Sequence, residues 1–153
     1  MKSLETRVPP PAVAAVLAAA MWAAARLAPV LVLPAALRLG TAAAIVLVGI
    51  GFSAAGVVAF RRARTTIDPT RPGRASSLVR SGVYRITRNP MYVGLACVLV
   101  AWAVFLSSPW TLLGPVAFVL YIARFQIAPE ERALSELFGS EYAQYQAEVR
   151  RWL

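Results

Sequence analysis

In "GVYRITRNPMYVG", residues 82–94, Tyr84, Arg85, Arg88, Asn89 and Tyr92 crowd against the start of an apolar run. Asn is a good helix N-cap and Pro is favoured at the first helical position, so Asn89 and Pro90 read as a helix start. The free backbone N–H groups of that first turn, beside Arg88, make an anion site. A second polar group, Glu130 and Glu131, opens "PEERALSELFGSEYAQYQAEVRRWL", residues 129–153, where Pro129 and the two carboxylates suit another helix start. The chain has no histidine, which excludes an imidazole base, a Ser-His triad and a His-ligated metal. No metal site is expected. The one cysteine, Cys97, lies inside an apolar run and reads as a small buried hydrophobe.

A plainer reading treats Arg61, Arg62 and Arg64 as topology anchors, and Tyr84 and Tyr92 as interfacial belt residues. It accounts for each residue singly but not for their clustering, nor for the acids gathered at Glu130 and Glu131.

The elements that must position these residues are apolar helices. Of 153 residues, 59% are hydrophobic and 15% charged, with a net charge of +9. This balance points to a membrane protein before any nucleic-acid binder. Residues 11–34 form a first apolar span, broken by Arg26. A signal peptide is set aside there, because further spans follow with no soluble domain to export. Residues 40–60 form a second span of 21 residues, in which Gly49, Gly51 and Gly56 permit close helix contact. Residues 61–89 hold eight arginines and one acid, Asp68. Pro69, Pro72 and Gly73 make the first half of this stretch an irregular loop. Residues 91–106 and 110–125 form a helical hairpin through "SSP" at 107–109, with Pro115 bending the second arm. Leu134, Phe138, Tyr142, Tyr145, Val149 and Trp152 recur at steps of three or four, so 129–153 reads as an amphipathic surface helix.

The fold class is therefore an all-α integral membrane protein of four transmembrane helices, with a basic loop and a C-terminal amphipathic helix. The positive-inside rule places the 61–89 loop in the cytoplasm. Alternation then puts Lys2 and Arg7, and Arg150 and Arg151, on the same side, and the uncharged 107–109 turn outside. Both termini are expected to be cytoplasmic.

"LVRSGVYRITRNPMYVG" (78–94) followed by "PEERALSELFGSEYAQY" (129–145) resembles the isoprenylcysteine carboxyl methyltransferase family, to which phospholipid methyltransferases are related. The resemblance covers about residues 65–153; the first two spans match only in kind. It implies a single membrane methyltransferase domain over 1–153, with two N-terminal spans in 1–60 and the catalytic core in 61–153. It implies S-adenosylmethionine as cofactor and a lipophilic or lipid-modified acceptor, with membrane lipids as surroundings and no nucleic-acid partner. By matching position, Leu78, Val79, Tyr84, Arg88, Asn89, Pro90, Met91, Tyr92 and Glu130 would line the cofactor pocket, with Arg88 and Asn89 as positioning groups. Asn89 stands where the family usually has histidine; it keeps hydrogen-bonding ability but cannot titrate. Gln126 falls where the prenylcysteine enzymes have a substrate-contacting arginine. The acceptor expected is a carboxylate, which needs no base. The alternatives are a phospholipid-amine methyltransferase and a non-catalytic small membrane protein; a transporter should show polar residues at mid-membrane depth, and the spans have almost none.

Within the final stretch, helical spacing separates the two acids. Glu130 shares a face with Leu134 and Phe138, on the inward side, whereas Glu131 aligns with Ser135 nearer the polar side and would act on the helix start through the macrodipole.

Overall fold

Glycine spacing on the second helix decides how the bundle closes. The computed structural model describes residues 7–27, 29, 31–63 and 77–153, and among these every regular element is helical. The elements are α1 (Pro10–Leu27), α2 (Ala35–Arg62), α3 (Pro90–Leu106), α4 (Leu113–Ile122) and α5 (Ala128–Glu148). Short 3₁₀ turns at Gly82–Arg85 and Pro109–Leu112 lead into α3 and α4. The irregular loop expected around Pro69, Pro72 and Gly73, and the position of Lys2, lie outside the described residues.

The main packing contact is α2 on α3. A Cβ at Gly94 would collide with the Ser53 side chain and the Gly49 carbonyl, and one at Gly49 would meet the Gly94 carbonyl oxygen at 2.8 Å. Backbone therefore lies on backbone, the close approach that small residues allow between apolar helices. Gly56 packs likewise under Pro90 and Met91. Gly51 does not share this role, since nothing lies within 4 Å of a Cβ built there. α1 covers the other side of α3 and the start of α4. Gly114 makes room for Met21, and Trp102 Nε1 donates to the Ala18 carbonyl at 3.0 Å. Val13, Met21, Tyr92, Leu99, Phe118, Ile122 and Ile127 form the core between them.

The hairpin turn is polar, and all but the buried Ser108 hydroxyl of its serine and threonine side chains are hydrogen-bonded. Ser107 ends α3 in the left-handed conformation at φ 52°, and its carbonyl accepts from Leu31 N–H at 2.6 Å. Thr111 Oγ1, fully buried, donates to the Ser108 carbonyl at 2.5 Å.

Among the described residues, three helical stretches are long and apolar enough to cross a membrane: Pro10–Leu27, Ala35–Arg62 and Pro109–Glu148. Pro90–Leu106 is equally apolar but has 17 residues. α2, with 28 residues, extends beyond the expected 40–60 span at both ends. Leu47, Val48 and Ile50 on α2, and Val116 and Leu120 on α4, are exposed, a surface that suits hydrocarbon rather than water.

Two expectations about the second arm of the hairpin are corrected. No helix starts at Pro129: α4 runs through a single wide π turn, Ala123–Ile127, directly into α5. Pro115 lies in the first turn of α4, straight after the 3₁₀ turn, and the irregularity begins eight residues further on, at the π turn. The amphipathic stretch is not one straight helix either. Gly139 adopts φ 51°, ψ −122°, a region open essentially to glycine, and breaks α5 into two limbs. The helix ends at Glu148, and Val149 is extended at φ −125°, ψ 134°. The apolar stripe still coalesces, but across the break: Leu134 and Phe138 pack with Tyr142, Tyr145, Val149 and Leu78.

Candidate active site

The π turn sets the site's geometry. Gln126 and Glu130, four residues apart, share one side of the α4–α5 rod, and the wide turn sets the phase of that side relative to α4. Gln126 Nε2 donates to Glu130 Oε1 at 3.1 Å, and the same oxygen accepts from Tyr92 Oη at 2.5 Å. Gln126 and Tyr92 are buried, at 2% and 8% exposure. A carboxylate drawn this far from water is retained only with hydrogen bonds to hold it, and these two supply them.

One residue on, Glu131 faces a cationic surround. Its Oε1 accepts from Arg88 Nη2 at 3.0 Å and from Arg151 Nε at 3.1 Å, and its Oε2 accepts from Arg151 Nη2. The side chains of Arg88 and Glu131 are 11% and 13% exposed, and that of Arg151 is 42% exposed. The placement of Glu131 on the polar side, acting through a helix start, is thus corrected. The helix is continuous at this point, and the partly buried carboxylate bridges two guanidinium groups. Its hydrogen bonds hold the Arg151 guanidinium above its ordinary range. The Arg88 Nε, also buried, has no partner.

The residues after α5 complete the floor. Arg88 N–H donates to the Arg150 carbonyl at 3.0 Å, and Asn89 Nδ2 donates to the Arg151 carbonyl at 2.9 Å. Thr87 Oγ1, buried, adds a bond to that carbonyl at 3.3 Å. Asn89 occupies the N-cap position of α3, but its side chain makes no capping bond; the amide is spent on the 149–153 segment. Trp152 packs back onto the core. These residues form a strap across the Arg88–Asn89 turn.

Tyr84 is buried with its ring edge-on to Phe60, centroids 5.4 Å apart, and its carbonyl accepts from Tyr145 Oη at 2.7 Å. Burial first, then the nearby Tyr145 and Glu130, push its phenol above the usual tyrosine range, so it stays protonated. Of the residues singled out in the sequence, Arg88, Asn89, Tyr92, Gln126 and Glu130 converge here. Leu78 lies at the edge, under the tyrosines of α5. Pro90 is buried at the first position of α3, and Met91 packs on Gly56 of α2 instead of facing this cluster. Val79 packs with Tyr84 and Ala59. Three participants escape sequence reasoning: Glu131 as a bridge, Arg151 as its partner and Thr87 as a strap contact. The glycine of "FGSEY" was the available signal, since glycine inside a helical pattern marks a break. No group of His, Cys, Asp and Glu residues that could hold a metal ion occurs among the described residues.

A model of the phospholipid methyltransferase family matches residues 37–141, more than half of the chain, and that stretch contains Arg88, Tyr92, Gln126, Glu130 and Glu131. The chain belongs to this family. An "Uncharacterized protein" of Haemophilus influenzae is 46% identical over 63 residues, which are 41% of this chain and the whole of that protein. A "Probable protein-S-isoprenylcysteine O-methyltransferase" of Oryza sativa subsp. indica is 39% identical over 79 residues, 50% of this chain and 40% of the rice protein. "Protein-S-isoprenylcysteine O-methyltransferase B" of Arabidopsis thaliana is 31% identical over 96 residues, 61% of this chain and 47% of the plant protein. The chain thus spans less than half the length of these plant relatives. The resemblance carried by residues 78–94 and 129–145 is borne out. No solved structure gives a significant match.

Proposed function

We propose that the protein is an integral membrane methyltransferase that moves a methyl group from S-adenosylmethionine to a lipophilic acceptor, of which a carboxylate is the simplest. One observation carries the reading: neighbouring residues Glu130 and Glu131 sit in opposite surroundings. Glu130 is held by two neutral donors, Tyr92 and Gln126. Glu131 is outnumbered by Arg88 and Arg151, so that cluster carries a net positive charge. A ligand with an ammonium and a carboxylate a few bonds apart matches this pair of environments, and the orphaned Arg88 Nε is a donor that a carboxylate would satisfy.

The residues present therefore fit the cofactor's amino-acid group. Arg88 would hold its carboxylate, and Glu130 its ammonium or sugar hydroxyls. Tyr84, Tyr142 and Tyr145, buried beside these groups, would pack against the base or the sulfonium at their edges. When bound, S-adenosylmethionine supplies an already activated methyl on its sulfonium. What remains for the chain is to orient the two reactants and exclude water. Tyr92 and Gln126 fix the Glu130 carboxylate; the strap closes the Arg88–Asn89 turn; α3 and α4 bring an apolar wall on which a lipid-borne acceptor can lie. A carboxylate acceptor loses no proton, which agrees with a chain without histidine and with Asn89 bound to a backbone carbonyl.

We assign four membrane crossings, counting Pro90–Leu106 with the three longer stretches, and a cytoplasmic site. The arginine bias of residues 61–89 supports that orientation. A second reading, methylation of a phospholipid amine, is favoured by the family's own description. There the amine must first lose a proton, and Glu130 is the carboxylate at hand. Detergent-purified protein incubated with labelled methyl donor and a membrane lipid extract tests both. A labelled methyl ester supports the first reading and a labelled N-methyl lipid the second. Folded protein that labels nothing, and that binds no S-adenosylhomocysteine at millimolar concentration, removes the enzyme reading.

A further inference from the structure

Arg88 is the cation best placed for a ligand carboxylate, yet Glu131 already holds it at 3.0 Å. An Arg88–Glu131 pair alone is neutral, and an arriving carboxylate would meet a like charge a few ångströms away. The structure contains the remedy. Arg151 grips Glu131 with both Nε and Nη2, the two-pronged geometry in which guanidinium binds carboxylate best. Its position is enforced from three sides. Asn89 and Thr87 bind its carbonyl, Arg88 N–H binds the Arg150 carbonyl, and Trp152 is packed on the core.

Resting on the cofactor reading above, we infer that Arg151 is a positioning residue for ligand binding: it neutralises Glu131 so that Arg88 is free to accept the ligand's carboxylate. Asn89 serves the same end. At the position where the family usually has histidine, it anchors the strap that carries Arg151. The strap lies beyond the residues that match the family model.

The test compares two ligands, S-adenosylhomocysteine and methylthioadenosine, which lacks the amino-acid carboxylate, by calorimetry on detergent-purified full chain. Arg151→Gln should weaken S-adenosylhomocysteine binding about tenfold or more, the effect of losing one charge-assisted partner. Methylthioadenosine binding should change by less than about twofold. Glu131→Gln should bind S-adenosylhomocysteine at least as tightly as the wild type, since Arg88 is released. The double variant Arg151→Gln, Glu131→Gln should recover to within about threefold of wild type, because the two changes are coupled and not additive. Arg151→Lys, which keeps the charge but loses the fork, should fall between. Each variant's melting temperature is recorded, and the charge-balanced double variant stands in if Arg151→Gln does not fold. Equal loss for both ligands, or no recovery in the double variant, overturns the inference and leaves the methyltransferase reading intact. Folded wild type that binds methylthioadenosine but not S-adenosylhomocysteine also overturns it; wild type that binds neither overturns the cofactor reading and this inference with it.

Discussion

Replacing Glu130 by Gln separates a functional carboxylate from a structural one. In the folded protein one oxygen of Glu130 accepts two hydrogen bonds, from Tyr92 at 2.5 Å and Gln126 at 3.1 Å. A hydrogen bond to a charged group contributes about 1.5–3 kcal/mol, against about 0.5–1.5 kcal/mol for a neutral one. Gln can still accept from Tyr92, so each bond weakens by about 1 kcal/mol without being lost. Against this, the variant no longer has to hold a charge away from water, a relief of similar size. Stability should therefore move by less than about 1 kcal/mol, or a few degrees in Tm for a chain of this length. Ligand binding has no such compensation. An ammonium or hydroxyl facing Glu130 loses its charged acceptor, and affinity for S-adenosylhomocysteine should fall about ten- to a hundredfold. The assay is calorimetric titration paired with a thermal melt in the same detergent. A variant that melts many degrees lower while binding normally would show that Glu130 holds the helices together and touches no ligand. That result would refute the assignment.

Other perturbations probe the frame. Gly139→Ala must adopt φ 51°, ψ −122°, at a cost of about 1–3 kcal/mol, and should lower both Tm and ligand affinity because the limb carrying Tyr142 and Tyr145 is displaced; an unchanged melt would mean the break in α5 is not required. Gly94→Ala forces a methyl against Ser53 and the Gly49 carbonyl, so α2 and α3 must part, at about 1–3 kcal/mol; a thermal melt at wild-type temperature would contradict that packing. In a Cys97→Ala background, single cysteines at Arg85 and Trp110, both exposed, should label from opposite sides of the membrane; labelling of both from one side would overturn the four-crossing topology.

Much of the architecture was legible in composition and spacing. Apolar runs of about bilayer length declare helices, because backbone in hydrocarbon must bond to itself. The glycines at 49 and 56 declare a close helix contact, Gly49 because almost nothing but hydrogen fits against the Gly94 backbone and Gly56 because the Pro90 and Met91 side chains press on it, whereas Gly51, two residues beyond Gly49, faces open space. The motif residues Arg88, Tyr92 and Glu130 could be named for the chemistry that their types allow. Their pairing could not. Whether Glu130 or Glu131 turns toward Tyr92 depends on the phase of the helix, and one wide turn at Ala123–Ile127 changes that phase. The pattern of residues 129–153 suggested one continuous amphipathic helix, since Leu134 to Trp152 keeps a helical period. Period alone cannot show that the backbone kinks at Gly139 and brings the same apolar residues together across the break. Asn89 looked like a cap, because Asn caps helices locally; a carbonyl 62 residues away in the chain proved the stronger claimant. Local signals determined which segments are helices and which residues carry chemistry. The partners of Glu131 and Asn89 were decided by contacts distant in sequence, which exist only once the chain has folded back upon itself.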